Sequence, residues 1–255
     1  MMFLNRIIPT LLLDENRLIK TRKFRDPIYI GDPINVVQIF NKKEVNELIL
    51  LNISLNRFVK NLNFDLLKDI TSECFVPISY GGGIRSLEQI EKLLYIGFEK
   101  IIINTFAVLN PKLIIDAIRE FGSSTIIGSI DYRIQNGKRK VFIQNGRKDS
   151  NLLIEEIFSM YINMGVGEIM ITSIDNDGCF CGYDLDVIKI LSEKSEIPLI
   201  INGGASSLND MKLAVNLGAQ AVAAGSLFTL RLPYRAVLIS YPSESLINKV
   251  FKNGI

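Results

Sequence analysis

Short runs of apolar residues, many of them β-branched, recur along the chain and show little alternation with polar residues. Examples are IIIN, TIIGSI, EIMITSI, PLIIN and AVAAG. Strands buried on both faces lack a polar side, so these runs are typical of parallel strands inside an α/β protein. They predict eight strands, at about 6–12, 47–53, 76–81, 101–104, 125–131, 167–173, 198–202 and 221–224.

Helical patterns separate the predicted strands. SLEQIEKLLYIG and SLNDMKLAVNLG each begin with a serine that can cap a first helical turn and end with a glycine that can terminate the helix. Eight such units in 255 residues predict an α/β fold, the (β/α)8 TIM barrel, with its functional residues at the carboxyl ends of the strands. A doubly wound open sheet is the alternative, but neither GxGxxG nor GxxxxGK follows the first strand.

The chain contains an internal repeat. Residues 75–105 align without a gap on residues 196–226, and a slightly shorter offset places Leu12 of the first strand on Asp131 of the fifth. A repeat of this length indicates architecture before any motif does. We therefore predict one barrel domain over residues 1–255, made of two homologous half-barrels at about 1–122 and 123–255.

Composition excludes several kinds of function. With 29 basic and 27 acidic residues, the chain lacks the positive excess of a surface that binds nucleic acid or membrane, and we expect neither partner. The absence of histidine excludes Ser-His and Cys-His triads and histidine metal ligands. Cys179 and Cys181 lack the second ligand pair that a zinc site needs, so we expect no metal and no cofactor. No signal peptide or long apolar run is present in the sequence, which favours a cytoplasmic location.

Glycine-rich turns follow equivalent strands of both halves. YGGGI and NGGAS follow the third and seventh strands, and NT and GS follow the fourth and eighth. Such turns let backbone amides approach an oxyanion that a side chain would exclude, although they also occur for geometry alone. Their duplication favours a ligand that carries two phosphates at opposite ends.

The order RIIP, GGGI, INT, an acid after strand five, EIMITSIDNDG, NGGA and AAGSLF resembles the cyclase subunit of imidazole glycerol phosphate synthase over nearly the whole chain. Within that family, residues 23–48, ECFVPISYGGGIRSLEQI and residues 235–243 resemble a branch encoded with surface-polysaccharide genes. This resemblance implies a heterodimer with a glutaminase that supplies ammonia to a separate sugar amidotransferase, which makes acetamidino sugars.

The resemblance also implies roles for individual residues. In the cyclase, an Asp at the end of strand one and another at the end of strand five form a general acid–base pair; here only Asp131 is present, and Leu12 takes the other position. The implied substrate contacts are Lys20, Thr172, Asp177 and Asn52, the last at a position where the family usually has an acid. The implied phosphate sites are Gly83, Asn104 and Thr105 on one side, and Gly178, Gly204, Gly225 and Ser226 on the other.

Leu12 decides between the functions that remain. A positioned general acid or base contributes about 10²–10⁴-fold to a rate, so its loss is not silent if ring closure is the task. Asp14, two residues further on, is a candidate substitute. We therefore interpret the chain as a repurposed barrel whose status as an enzyme is uncertain; if active, it is a lyase-type cyclase or an ammonia-using subunit.

Four charged residues stand at or just before the amino ends of strands one, two, four and six: Arg6, Glu47, Lys100 and Glu168. In a closed barrel these ends converge at the bottom. The four residues are either ordinary solvated charges or an ion-paired ring. The resemblance implies the ring, through which ammonia from a glutaminase enters the barrel.

Three functions stay open: an ammonia-channelling subunit for acetamidino-sugar synthesis, the cyclase of histidine biosynthesis, and a non-catalytic scaffold. The basic stretch 20–26, KTRKFRD, is interpreted as a solvated flexible loop, with closure over an anionic ligand as the alternative.

Overall fold

Eight parallel strands form a closed barrel in the computed structural model, which describes residues 6–54, 62–194 and 196–252. In chain order the strands are β1 (Arg6–Asp14), β2 (Arg17–Arg22), β3 (Arg25–Gly31), β4 (Leu48–Asn52), β5 (Ile78–Gly81), β6 (Lys100–Ile103), β7 (Ile126–Gln135), β8 (Lys138–Ile143), β9 (Lys148–Leu153), β10 (Glu168–Ser173), β11 (Leu199–Asn202), β12 (Ala221–Ala224), β13 (Leu230–Arg231) and β14 (Ala236–Val237). The helices are α1 (Pro33–Lys42), α2 (Phe64–Ser72), α3 (Leu87–Tyr95), α4 (Thr105–Leu109), α5 (Pro111–Phe121), α6 (Ile154–Met164), α7 (Leu185–Ser192), α8 (Leu208–Asn216), α9 (Ser226–Thr229) and α10 (Glu244–Lys252).

The barrel consists of β1, β4, β5, β6, β7, β10, β11 and β12, each parallel to its neighbours. It closes where β12 pairs with β1, for example Ala221 with Arg6. The predicted (β/α)8 barrel is therefore confirmed. The expected boundary between the half-barrels falls at Gly122, between α5 and β7.

The barrel is filled at its centre by apolar side chains. Alternate residues of a strand point inward, and those from the strand middles form one buried cluster. Its members are Ile8, Ile49, Ile102, Ile127, Met170, Ile200, Ala221 and Ala223. This cluster, hereafter the central layer, separates the amino ends of the strands from their carboxyl ends.

The helix ends follow the predicted capping residues. Ser86 begins α3 and Ser207 begins α8, and each side chain accepts a hydrogen bond from a first-turn amide. Gly97 and Gly218, which follow these helices, have φ of +111° and +108°, a conformation that favours glycine. None of the helices in the described ranges is long and apolar enough to cross a membrane.

Antiparallel hairpins occupy two equivalent strand-to-helix connections, after β1 and within the extension of β7. The first hairpin corrects an expectation in part: stretch 20–26 belongs to β2, β3 and their turn, and Lys20 and Thr21 are buried. Arg22, Lys23 and Arg25 are exposed, as expected of a solvated stretch. The second was detectable, because Asn136-Gly137 lies between β7 and β8 with positive φ at both residues, the usual chemistry of a two-residue hairpin turn. Phe24 of the first hairpin lies close to Gly146 of the second, so the hairpins meet above the barrel.

Gly82 provides a stability test of this close packing. A Cβ at this position would lie 2.0 Å from the carbonyl oxygen of Asn52, and φ is +101°. We expect Gly82→Ala to lower the free energy of unfolding by roughly 3 kcal/mol or more. Gly137→Ala is the matched control, since φ is also positive (+73°) but no described heavy atom lies within 4 Å of the added Cβ.

For Gly137→Ala the loss should be about 1–2 kcal/mol, from backbone strain alone. Urea denaturation of both variants measures the difference. Equal losses would show that the contact between the β5 turn and Asn52 is not tight.

Candidate ligand cavity and ion-paired barrel base

A large cavity of about 1290 Å³ lies at the carboxyl ends of the barrel strands. Both hairpins contribute to its wall, through Phe24 on one side and Gly146 on the other. Cavities of this kind at this end of a (β/α)8 barrel are the usual place for ligands. The volume accommodates an extended small molecule.

Asp131 is the strand-end acid that the structure places in this cavity. Burial raises the pKa of its carboxyl to about 7, and the neighbouring charge of Asp177 acts in the same direction. Hydrogen bonds with Thr172 and Asn104 oppose the shift only in part. Asp131 can therefore take up or release a proton near neutral pH.

Leu12 lines the same cavity from β1, at the position where the repeat expects a second acid. It offers no proton and no hydrogen bond. Asp14, two residues further along the same face of β1, also lines the cavity, and its carboxylate lies 3.7 Å from the guanidinium of Arg17. The mouth thus has Asp131 at the end of one barrel strand, and the equivalent position on β1 is apolar.

Lys20 and Asp177 form a buried ion pair at the edge of the cavity. The Lys20 Nζ lies 2.9 and 3.0 Å from the two carboxylate oxygens, and the Thr21 hydroxyl donates to the same group over 3.2 Å. The pair joins the first hairpin to the loop after β10, and the amide of Lys23 adds a bond to the Asp177 carbonyl. The structure therefore brings together two of the predicted substrate contacts, Lys20 and Asp177.

Two other predicted contacts, Thr172 and Asn52, lie on the cavity wall. The Thr172 hydroxyl accepts a hydrogen bond from Asn202 at 3.3 Å in addition to its bond with Asp131. Asn52 donates to the Tyr80 hydroxyl at 3.2 Å and accepts from the Ser54 amide at 3.0 Å. Asn52 therefore stabilises the turn after β4 in this structure.

The first predicted phosphate site lies inside the cavity, where Gly83, Asn104 and Thr105 converge. Gly83 has φ of +75°, which favours glycine, and Thr105 begins α4. The Thr105 hydroxyl accepts a bond from the Gln144 amide at 2.9 Å, so the second hairpin already contacts this site.

The second predicted phosphate site is more enclosed. Gly178, Gly204, Gly225 and Ser226 surround a separate cavity of about 10 Å³, room for about one water molecule. Glycine is required here, because a Cβ on Gly204 would lie 2.0 Å from the Gly182 carbonyl oxygen. Lys20 covers Gly225, since a Cβ there would lie 2.9 Å from the Lys20 Cε. A phosphate on these amides would require Lys20 or the loop to move.

Three buried side-chain polar atoms have no hydrogen-bond partner among the described residues: Thr10 Oγ1, Arg133 Nε and Ser226 Oγ. Thr10 and Arg133 line the large cavity, and Ser226 lines the small one. Buried polar atoms are nearly always paired, so each of these atoms can accept a partner from a bound ligand or from water. Neither Thr10 nor Arg133 belongs to a glycine motif, so sequence reasoning missed both.

The four charged residues at the amino ends of the strands form one ion-paired network. Arg6 lies 2.9 Å from Glu47 and 3.0 Å from Glu168, and Glu168 also pairs with Lys100. The two glutamates are buried. Burial alone would lower the pKa of Arg6, but Glu47 and Glu168 outweigh it and raise that pKa. The network lies at the base of the barrel, below the central layer.

The fold and the site define a class: a (β/α)8 barrel with a ligand cavity at one end and a charged base at the other. Over residues 6–231 the chain matches the family model described as histidine biosynthesis protein. The chain belongs to this family and is a HisF-like member of it.

The relatives agree with this assignment. A protein of Leptospira interrogans provisionally named imidazole glycerol phosphate synthase subunit HisF is 43% identical over 242 residues, which cover 94% of this chain and 95% of that protein. A Pseudomonas aeruginosa protein provisionally named subunit hisF2 of the same synthase is 44% identical over 247 residues, 96% and 97% of the two chains. Imidazole glycerol phosphate synthase subunit HisF of Alkaliphilus metalliredigens is 35% identical over 229 residues, 89% and 91% of the two chains.

Asp131 should make stability depend on pH. The folded-state pKa of Asp131 is about 7 and exceeds the unfolded value. Its stabilising contribution to the free energy of unfolding is therefore fully present below about pH 4 and is lost as pH rises through about 7. The free energy of unfolding of the wild type, minus that of Asp131→Asn, should therefore fall over this window by an amount on the order of a few kcal/mol. Urea denaturation across the window measures this difference, and a flat difference would contradict the buried, protonated state.

Glu168 should matter more to stability than Glu47, because it pairs with two cations and Glu47 with one. We expect Glu168→Gln to lower the free energy of unfolding by roughly 2–3 kcal/mol and Glu47→Gln by about 1 kcal/mol. Asp116→Asn, which breaks the exposed pair with Lys112 on α5, should change it by less than about 0.5 kcal/mol. Thermal or urea unfolding of the three variants measures this order of stability losses. A larger loss for Glu47→Gln than for Glu168→Gln would contradict the prediction.

Proposed function

We propose that this chain is the barrel subunit of a glutamine-dependent amidation system. It pairs with a glutaminase at the charged base, and ammonia passes through the barrel to an acceptor bound beyond the carboxyl ends of the strands. It is not an efficient cyclase. The observation that carries the proposal is Leu12, which lines the cavity where ring closure calls for an acid.

The chemistry at the cavity mouth supports this proposal. General acid–base ring closure needs one group that takes a proton and another that gives one. Asp131 can perform one of these tasks, but Leu12 performs neither. The loss is worth about 10²–10⁴ in rate, roughly 3–5 kcal/mol of barrier.

The opposite end of the barrel supports ammonia handling. The network of Arg6, Glu47, Glu168 and Lys100 lies at the base of the barrel. The apolar side chains of the central layer lie between it and the cavity, together with the buried Ser79, which is in register with Ile49 and Lys100. Neutral ammonia can pass between apolar side chains. An ammonium ion cannot do so readily, because moving its charge out of water costs a large amount of free energy. An arrangement of this kind admits the neutral molecule and rejects the ion.

We propose a sugar as the acceptor of the ammonia, with an acetamidino group as the product and a separate sugar amidotransferase as the catalyst. Support for this finer assignment is the resemblance of residues 23–48 and 235–243 to the branch associated with surface polysaccharides. The chain is also more similar to relatives whose synthase assignment is provisional than to the unqualified subunit HisF of Alkaliphilus metalliredigens.

One observation favours the cyclase of histidine biosynthesis as a second candidate. Asp14 lies on the same face of β1 as Leu12 and lines the cavity, so its carboxylate is available at the mouth. Its contact with Arg17 would have to break before it could act as a base.

The amidation assay uses the chain together with a glutaminase and a sugar amidotransferase from the same organism. Product is measured with glutamine and, separately, with ammonium chloride as the nitrogen donor. Lys100→Met should lower glutamine-driven amidation at least about tenfold and leave ammonium-driven amidation nearly unchanged, because external ammonia bypasses the base. Glu91→Gln, an exposed change on α3, is the control and should alter neither rate.

Two results would overturn the proposal. One is a wild-type complex in which glutamine supports no amidation while ammonium does. The other is a Lys100→Met variant that retains the full glutamine-driven rate.

A further inference from the structure

Arg133 is a cation in the wall of the large cavity. It lies on β7 two residues after Asp131, and therefore on the same face of the strand. Its guanidinium packs over the ring of Phe142, with 5.4 Å between Cζ and the ring centroid. This contact fixes the orientation of the side chain but satisfies none of its N–H groups.

The Arg133 Nε is buried and lacks an acceptor, and no carboxylate of the described residues lies within ion-pairing distance of the guanidinium. Arg133 is half-buried, and leaving its buried Nε–H without an acceptor costs free energy. Arg133 lines the large cavity, and Gly146 packs close to it: a Cβ at residue 146 would lie 3.5 Å from the Arg133 Nη2 and 3.0 Å from Phe24. A group from outside the chain can complete these bonds.

The position of Arg133 differs from those of both glycine-rich sites. The first site follows β5 and β6, the second follows β10, β11 and β12, and Arg133 extends from β7. The edge of a guanidinium formed by Nε and one Nη matches the two oxygens of a carboxylate in a planar, bidentate pair. A tetrahedral phosphate is better served by the backbone amides of the glycine turns.

We propose that Arg133 forms a third anion-binding subsite, which selects ligands that carry a carboxylate in addition to a phosphate. The inference rests on the proposed role of the cavity as a ligand site and is independent of ammonia transfer. Its failure would leave the amidation experiment unaffected, since that experiment reads product formation and this one reads binding.

A matched pair of probes tests the subsite. Sorbitol 6-phosphate and 6-phosphogluconate have the same length and differ only at C1, which is an alcohol in the first and a carboxylate in the second. Dissociation constants are measured by calorimetry below the pKa of Asp131, for the wild type, Arg133→Met and Arg133→Lys, with inorganic phosphate as a further probe. Arg147→Met removes an exposed arginine that also lines the cavity and serves as the control.

The wild type and Arg147→Met should bind 6-phosphogluconate at least about tenfold more tightly than sorbitol 6-phosphate. In Arg133→Met this preference should fall to near unity, while the affinities for sorbitol 6-phosphate and inorganic phosphate stay within about twofold of wild type. Arg133→Lys should retain part of the preference, because it keeps the charge but not the planar fork.

Three results would overturn the inference. The first is a wild type that binds the two sugar phosphates equally. The second is an Arg133→Met variant that loses affinity for all three probes in the same proportion, which would assign Arg133 to a phosphate site or to the fold. The third is an Arg147→Met variant that loses the preference as completely as Arg133→Met.

Discussion

The central layer of apolar side chains is the constraint on which the other features depend. Eight strands can close only if their inward-facing residues fill the middle of the barrel, and Ile8, Ile49, Ile102 and Ile127 are among those that do so. The charged network lies on one side of this layer and Asp131 lies on the other, whereas small polar side chains such as Ser79 occur within the strands. A barrel of this kind has a charged base and a ligand cavity because its centre must be apolar.

Strand β1 shows the whole arrangement in a few residues. Alternate positions place Arg6 at the base, Ile8 in the central layer, Thr10 with its unpaired hydroxyl at the cavity floor, and Leu12 at the mouth. Each of these side chains faces inward for the same geometric reason. Leu12 therefore faces the cavity because of its position on the strand, and it places an apolar group in the same cavity wall as Asp131.

The regular part of the barrel was predictable, because it depends on local patterns. The predicted strand at 221–224 coincides with β12, and Ser86 and Ser207 cap α3 and α8 as expected. The first hairpin was not predictable from the stretch 20–26 alone, since its buried residues Lys20 and Thr21 pair with the distant Asp177. Lys23 and Phe24 at its tip have positive φ, although no turn motif in the sequence predicts this conformation.

The candidate site divides in the same way. Glycine turns and Asp131 are visible in the repeat, but the unpaired Nε of Arg133 and its packing against Phe142 are visible only in the folded structure. The enclosure of Gly225 by Lys20 is likewise a product of the folded hairpin. Sequence motifs identify where a ligand binds, whereas the pairing state of each polar group requires the structure.

The most direct test of the account is ring closure by the purified chain. The substrate of ring closure, the bis-phosphorylated aminoimidazole carboxamide ribulotide, is supplied with excess ammonium salt. Its loss is followed spectrophotometrically for the wild type and for Leu12→Asp. The account predicts no turnover at an ordinary enzyme rate by the wild type, with activity gained in the variant. Wild-type turnover at such a rate would contradict it and would identify a working cyclase.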